Sequence, residues 1–248
     1  MMGSVHLRRL ARTAAVALAA VSLAFTFVQP AQAAPAGLPG IDVSHWQGTI
    51  NWTAVKGAGI KFAYIKATES TNYKDPQFNA NYPNAHRAGV IRGAYHFARP
   101  NGDPVADGAA EANYFASNGG AWSADNLTLP GALDLEGSCT LGQTATRTWI
   151  KSFYDTYKAR TGRDVVIYTS RSWWNACTGG TSQFAALTPL WVASWTSASS
   201  PTMPTGFGTY TFWQWTDSGS VSGISGAVDR NVFNGSDARL LALANNTA

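Results

Sequence analysis

"LPGALDLEG", residues 129–137, is an apolar run that ends on two acids, Asp134 and Glu136, with one leucine between them. If the run is a strand, residues two apart share a face. Asp134 and Glu136 then project together, with Cα atoms about 6–7 Å apart, and Leu135 points to the opposite side, into packing. Only 13% of the chain is charged, so two like charges at the end of a core strand need a reason.

Runs of the same kind lie on both sides of this one. Before it come "GIDVSHW" at 40–46, "IKFAYIKATE" at 60–69 and "VIRGAYHFA" at 90–98; after it come "DVVIYTS" at 164–170, "PLWVASW" at 189–195, "TYTFWQW" at 209–215 and "GAVDRNVF" at 226–233. Amphipathic stretches separate the early runs: "NWTAVKGAG", "DPQFNANYPNAHRAG", "PVADGAAEANYFASNG" and "TATRTWIKSFYDTYKARTG". Several end in glycine, the usual helix stop. The alternation decays after about residue 185. The pattern predicts an α/β fold with a mainly parallel sheet, and about eight strands predict closure into a TIM-like β/α barrel short of helices in its second half. A doubly wound open sheet is the competing topology. In a barrel, chemistry belongs at the C-terminal ends of the strands, and Asp42, Glu69, Tyr95, Asp134, Glu136, Tyr168 and Trp195 all fall late in their runs or just after them.

The first 34 residues carry Arg8, Arg9 and Arg12, then the apolar "TAAVALAAVSLAFTFV", then "AQAA", the layout of a secretory signal peptide. This predicts an exported, extracellular protein with no membrane attachment once the leader is removed. Residues 35–248 are expected to form one catalytic domain, without linkers or wall-binding repeats, acting as a monomer. The leader holds three of the 18 Lys and Arg residues and none of the 14 acids, which leaves 15 bases against 14 acids and a formal charge of +1. That balance lacks the basic stripe of a nucleic-acid binder. The two cysteines, Cys139 and Cys177, are expected to pair in an oxidising compartment, for about 3–4 kcal/mol on the loop-entropy model. Free thiols are the alternative.

Two carboxyl groups confined together cannot comfortably both ionise, so one holds a proton near neutrality. An acid beside a carboxylate is what glycoside hydrolysis requires: one protonates the leaving oxygen, and the other opposes the positive charge of the transition state. The bland alternative is a pair of solvated strand-end residues or partners of a surface arginine. The chain also holds 10 Trp, 9 Tyr and 11 Phe, with "SWWN", "LWVASW" and "TFWQW" in its second half. Their faces suit sugars, although part of this set belongs to packing.

In order along residues 40 to 235, "GIDVSHWQGTINW", "FAYIKATES", "RGAYHFARP", "ALDLEG", "VVIYTS", "FWQW" and "GAVDRNVF" resemble the family 25 glycoside hydrolases, lysozymes of the Chalaropsis and Streptomyces type. The resemblance implies a modified barrel with eight strands and fewer than eight helices, and cleavage of the β-1,4 bond between N-acetylmuramic acid and N-acetylglucosamine in peptidoglycan. It carries the family's acidic cluster onto Asp42, Asp134, Glu136 and Asp229. Glu136 is expected to be the general acid. Asp134 is expected to orient the substrate's 2-acetamido group, with direct water attack and inversion as the competing route. Asp42 and Asp229 are expected to set the charge of the pair and hold hydroxyls, unless they are strand-end caps or partners of Arg230. Glu69, Tyr95, Tyr168, Trp195 and Gln214 are candidate walls of the sugar groove. Ser70 stands where many members have glycine, so the turn after "KATE" is expected to differ. No cofactor or metal is expected: His45 and His96 read as hydrogen-bonded structural residues. A chitinase-like hydrolase and a silent glycan-binding barrel remain alternatives.

Overall fold

The computed structural model describes residues 34–247. The expected leader lies outside the described residues, apart from its last position. Among the described residues nine strands form: β1 Leu38–Val43, β2 Phe62–Glu69, β3 Tyr73–Lys74, β4 Ile91–Phe97, β5 Ala132–Leu135, β6 Val166–Ser170, β7 Leu190–Ala193, β8 Phe212–Gly219 and β9 Val228–Phe233. Six α-helices accompany them: α1 Trp52–Gly57, α2 Phe78–Arg87, α3 Pro104–Phe115, α4 Gln143–Thr161, α5 Arg171–Thr178 and α6 Asp237–Asn245. All eight runs identified in the sequence contain a barrel strand.

The sheet order is β1-β9-β8-β7-β6-β5-β4-β2-β3, and an additional β1–β2 pairing closes eight strands into a barrel, leaving β3 as a short hairpin arm on β2. Closure excludes the doubly wound alternative. β1, β2 and β4 to β8 run parallel, whereas β9 is antiparallel to both β8 and β1. The antiparallel β9 follows β8 without a helical crossover, and the parallel β7 and β8 are joined by residues 194–211 without an α-helix, so the helices thin out towards the C-terminus. Two helices escaped the sequence reading, α5 and α6. Their Ser170 and Ser236 N-caps, which accept from the backbone N–H of Trp173 and Arg239, were the available signals.

The period-2 alternation sorts the side chains into two layers. Phe62, Tyr64, Ala132, Val166, Trp191, Phe212 and Phe233 fill the interior. Tyr64 stacks on Trp191 at 4.7 Å, and Phe212 packs 5.0 Å from Phe62 and 5.3 Å from Phe233. Room for these rings comes from Gly40 and Gly93, where a Cβ would collide with the rings of Phe62 and Tyr64. Leu133 and Leu135 face outward, into the layer that holds Trp149, Ile150 and Phe153 of α4. That helix stops at Gly162, whose φ of 71° is left-handed.

Cys139 and Cys177 are bonded, with Cα atoms 5.4 Å apart, joining the segment after β5 to the end of α5. Ser70, after β2, has a φ of 51°, a left-handed conformation that a glycine takes at no steric cost.

Candidate active site

A cleft of about 280 Å3 opens at the C-terminal ends of the parallel strands. Asp42, Asp134, Glu136 and Asp229 all line it, as do Tyr95, Tyr168, Trp195 and Gln214. Asp229 stands at the start of its strand, not the end. It reaches the mouth because β9 runs against its neighbours, and the β1–β9 register sets it directly beside Asp42.

Asp42 is buried and held from two strands. Its carboxylate accepts from Asn231 Nδ2 at 2.6 Å and from Gln214 Nε2 at 3.1 Å. Gln214 Oε1 accepts from the Tyr168 hydroxyl and from Trp195 Nε1, each at 2.9 Å. Burial pushes the Asp42 carboxyl up, and donation from Asn231, Gln214 and Asp229 opposes the rise. Asp229 is pushed up to about 9, by burial first and then by the charge of Asp42, with which it shares a hydrogen bond. One proton thus serves the pair. Arg230 partners neither acid, since its guanidinium donates to Ser220 O.

Asp134 is 5% exposed, and its Oδ1 has no hydrogen-bond partner among the described residues. Burial, followed by the charges of Glu136 and Asp42, raises its carboxyl well above the usual range. Glu136 lies one residue beyond the end of β5, exposed at the cleft. Its carboxyl is also raised, by desolvation in the cleft and by Asp42, against the opposing effects of Lys66, a Tyr168 hydrogen bond and Arg99. The pair therefore consists of a buried acid beneath an accessible one.

Trp46 and Trp195, 83% and 59% exposed, stand over the cleft lining, an unusual exposure for large apolar rings. Glu69, expected at the groove wall, is not part of that lining. Lys66 and Arg99 bind its carboxylate instead. Sequence reasoning also missed Trp46, Lys66, Phe97 and Asp217, which line the cleft. Lys66 was accessible through the period-2 phase it shares with Phe62 and Tyr64 on β2, whereas Trp46 sits in the short 3-10 turn His45–Gln47 beyond the end of β1, where strand alternation no longer applies.

His45 Nδ1 lies 2.9 Å from Asp75 Oδ2, and buried His96 sits between Glu111 and Thr68, each at 2.7 Å. Both histidines are occupied structurally. No group of three or more His, Cys, Asp or Glu residues among the described residues is arranged to hold a metal ion.

Residues 41–224 match the model of the glycosyl hydrolases family 25. The chain belongs to that family. As a family 25 member it is 64% identical over 218 residues to lysozyme M1 of Streptomyces globisporus, covering 86% of this chain and 73% of that one. It is 43% identical to an N,O-diacetylmuramidase of Arthroderma benhamiae, over 79% of this chain and 82% of that one. The crystal structure of the bacterial lysozyme from Streptomyces coelicolor superposes with a TM-score of 0.82 at 62% identity, covering 86% of this chain and 99% of that one. The family match stops at residue 224, short of β9, and the β1–β9 register sets Asp229, expected from the resemblance, beside Asp42.

Proposed function

We infer that this family 25 enzyme hydrolyses peptidoglycan at the β-1,4 bond between N-acetylmuramic acid and N-acetylglucosamine. The observation that carries the reading is the buried-and-exposed acid pair, Asp134 and Glu136, backed by the Asp42–Asp229 pair and overlooked by two exposed tryptophans. Relatives named lysozyme and N,O-diacetylmuramidase support the substrate class, and the second name makes O-acetylated muramic acid a natural test substrate.

Glu136 is the general acid, because it is the accessible member of the pair and its raised carboxyl holds a proton where an ordinary glutamate would not. It protonates the glycosidic oxygen as the C1–O bond breaks. Asp134, which lines the cleft beneath Glu136, accepts the amide N–H of the 2-acetamido group and aims the acetamide carbonyl oxygen at C1. Water then opens the cyclic intermediate and gives its proton to Glu136, with net retention. Tyr168 and Gln214 tie Glu136 to the Asp42 network, so the acids are positioned as one unit. Residues 35–248 act as one secreted catalytic domain and monomer, with residues 1–34 removed on export.

Incubating the purified protein with bacterial walls tests this reading. Turbidity should fall, and mass spectrometry should find muramic acid at the new reducing ends. Reducing ends from chitin instead would favour the chitinase-like alternative, and wall binding without new ends the silent barrel. NMR of the first-formed anomer decides between the acetamido route, which retains configuration, and direct water attack, which inverts it. An extracellular N-terminus near residue 35 checks the leader, and light scattering checks the monomer.

A further inference from the structure

Lys66 is the one cation among the described residues that line the acid cleft. It is buried on β2, with its Nζ 4.8 Å from the Phe97 ring centroid and 5.5 Å from that of Tyr73. Glu69 Oε2 lies 2.6 Å from that Nζ, and Glu69 Oε1 accepts from Arg99 at 2.8 Å. The Arg99 guanidinium in turn lies 4.4 Å from the Phe97 centroid. A chain of charges, positive, negative, positive, thus runs from the cleft to the surface.

We propose that Lys66, Glu69 and Arg99 form a charge-setting relay for the catalytic carboxyls, in which Glu69 governs how much of the Lys66 charge those acids experience and so sets the pH window of hydrolysis. These are positioning residues that act through the acid pair. The groups facing that pair from the other walls, Asp42, Tyr95, Tyr168, Asp217 and Asp229, are acidic or neutral, so positive potential reaches it from the relay. Behind Tyr73, His45 and Asp75 pair with each other. Partial burial alone would raise the Glu69 carboxyl, yet the hydrogen bonds and charges of Lys66 and Arg99 outweigh it and hold it low. Lys66 lowers both Asp134 and Glu136, Glu69 raises Asp134, and Arg99 lowers Glu136.

The relay therefore makes a prediction of opposite signs. Glu69→Gln unmasks Lys66, and the limbs of the kcat/KM against pH profile should move down by about half to one unit. Lys66→Met should move them up by a similar amount, Arg99→Gln up by less, and Lys66→Arg should restore the wild-type profile. A merely structural role would lower activity without moving the limbs in opposite directions. Limbs that stay put, or move the same way in Glu69→Gln and Lys66→Met, overturn the proposal. If Lys66→Met does not fold, Glu69→Gln and Arg99→Gln, on partly exposed side chains, carry the same opposed test. The relay rests on the assignment of Glu136 as the acid, whose failure reads differently, as retained activity in Glu136→Gln.

Discussion

Asp42 and Asp229 are direct cross-strand partners in the antiparallel β1–β9 pair, two acids side by side on the floor of the cleft that share a hydrogen bond and a proton. Cross-strand pairs of like charge ordinarily destabilise a sheet. Here one member stays neutral, and the cost appears as pH dependence. The folded value of Asp229, about 9, lies above its ordinary value near 4, so the native state binds the extra proton between these limits and stability falls as pH rises through that window. Asp229→Asn keeps a donor for Asp42 but cannot ionise. Its melting temperature should exceed wild type at about pH 8, by about 2–4 °C per kcal/mol relieved, and match it near pH 4. Parallel wild-type and variant curves of Tm against pH would refute the shared proton.

Glu136→Gln should lower kcat on peptidoglycan by about 10²–10⁴-fold while leaving the melting temperature and glycan binding near wild type, because the side chain is exposed and its shape is kept. Asp134→Asn should also cost activity, and it separates the mechanisms: under acetamido participation the residual product retains its configuration. Near-wild-type kcat in Glu136→Gln removes it as the acid.

The two exposed tryptophans predict a binding defect. Trp195 is held in place by its Nε1 bond to Gln214, so its ring is pre-ordered before any sugar arrives. Trp195→Ala and Trp46→Ala should each raise KM by about 3–10-fold with a smaller effect on kcat. Steady-state kinetics on solubilised glycan strands reads this directly, and an unchanged KM would reassign the rings.

The Cys139–Cys177 bridge closes a 38-residue span and tethers the segment that begins at Glu136. Replacing both cysteines by serine should cost about 3–4 kcal/mol, seen as a lower midpoint in denaturant titration. Equal midpoints for the two proteins would show that the native fold already restricts this loop without the bond.

Ser70 carries a left-handed backbone that costs a non-glycine residue about 1–2 kcal/mol, part of which glycine returns through its freer unfolded chain. Ser70→Gly should therefore stabilise by a net of about 0.5–1 kcal/mol. The Ser70 N–H bond to Phe97 O is a backbone bond and survives the change. A drop in melting temperature would mean that the serine side chain matters to the turn.

Much of the fold was readable along the chain because strand and helix patterning are local. "LPGALDLEG" alternates visibly, and all eight barrel strands announced themselves as β-rich runs. Asp42, Asp134 and Glu136 followed from placing acids late in parallel strands, whereas Asp229, early in its run, entered only through family likeness. Lys66 shares the strand phase of Phe62 and Tyr64, a signal passed over inside an apolar run, and only the closed barrel shows which acids that phase makes it face. Glu69 looked like a groove residue from its place in the run. Arg99, 30 positions away, turned its carboxylate to another purpose.

The sequence by itself determined the strands, the alternation that puts Leu135 outside and the acids inside, and the presence of a concentrated acid pair, because each depends on neighbours a few residues apart. The tertiary structure alone decided that β9 runs backwards and brings Asp229 beside Asp42, and that Lys66 is the cation the acids face. Those relationships join residues 187 and about 70 positions apart through register and closure, and pKa values respond to distance in space rather than along the chain.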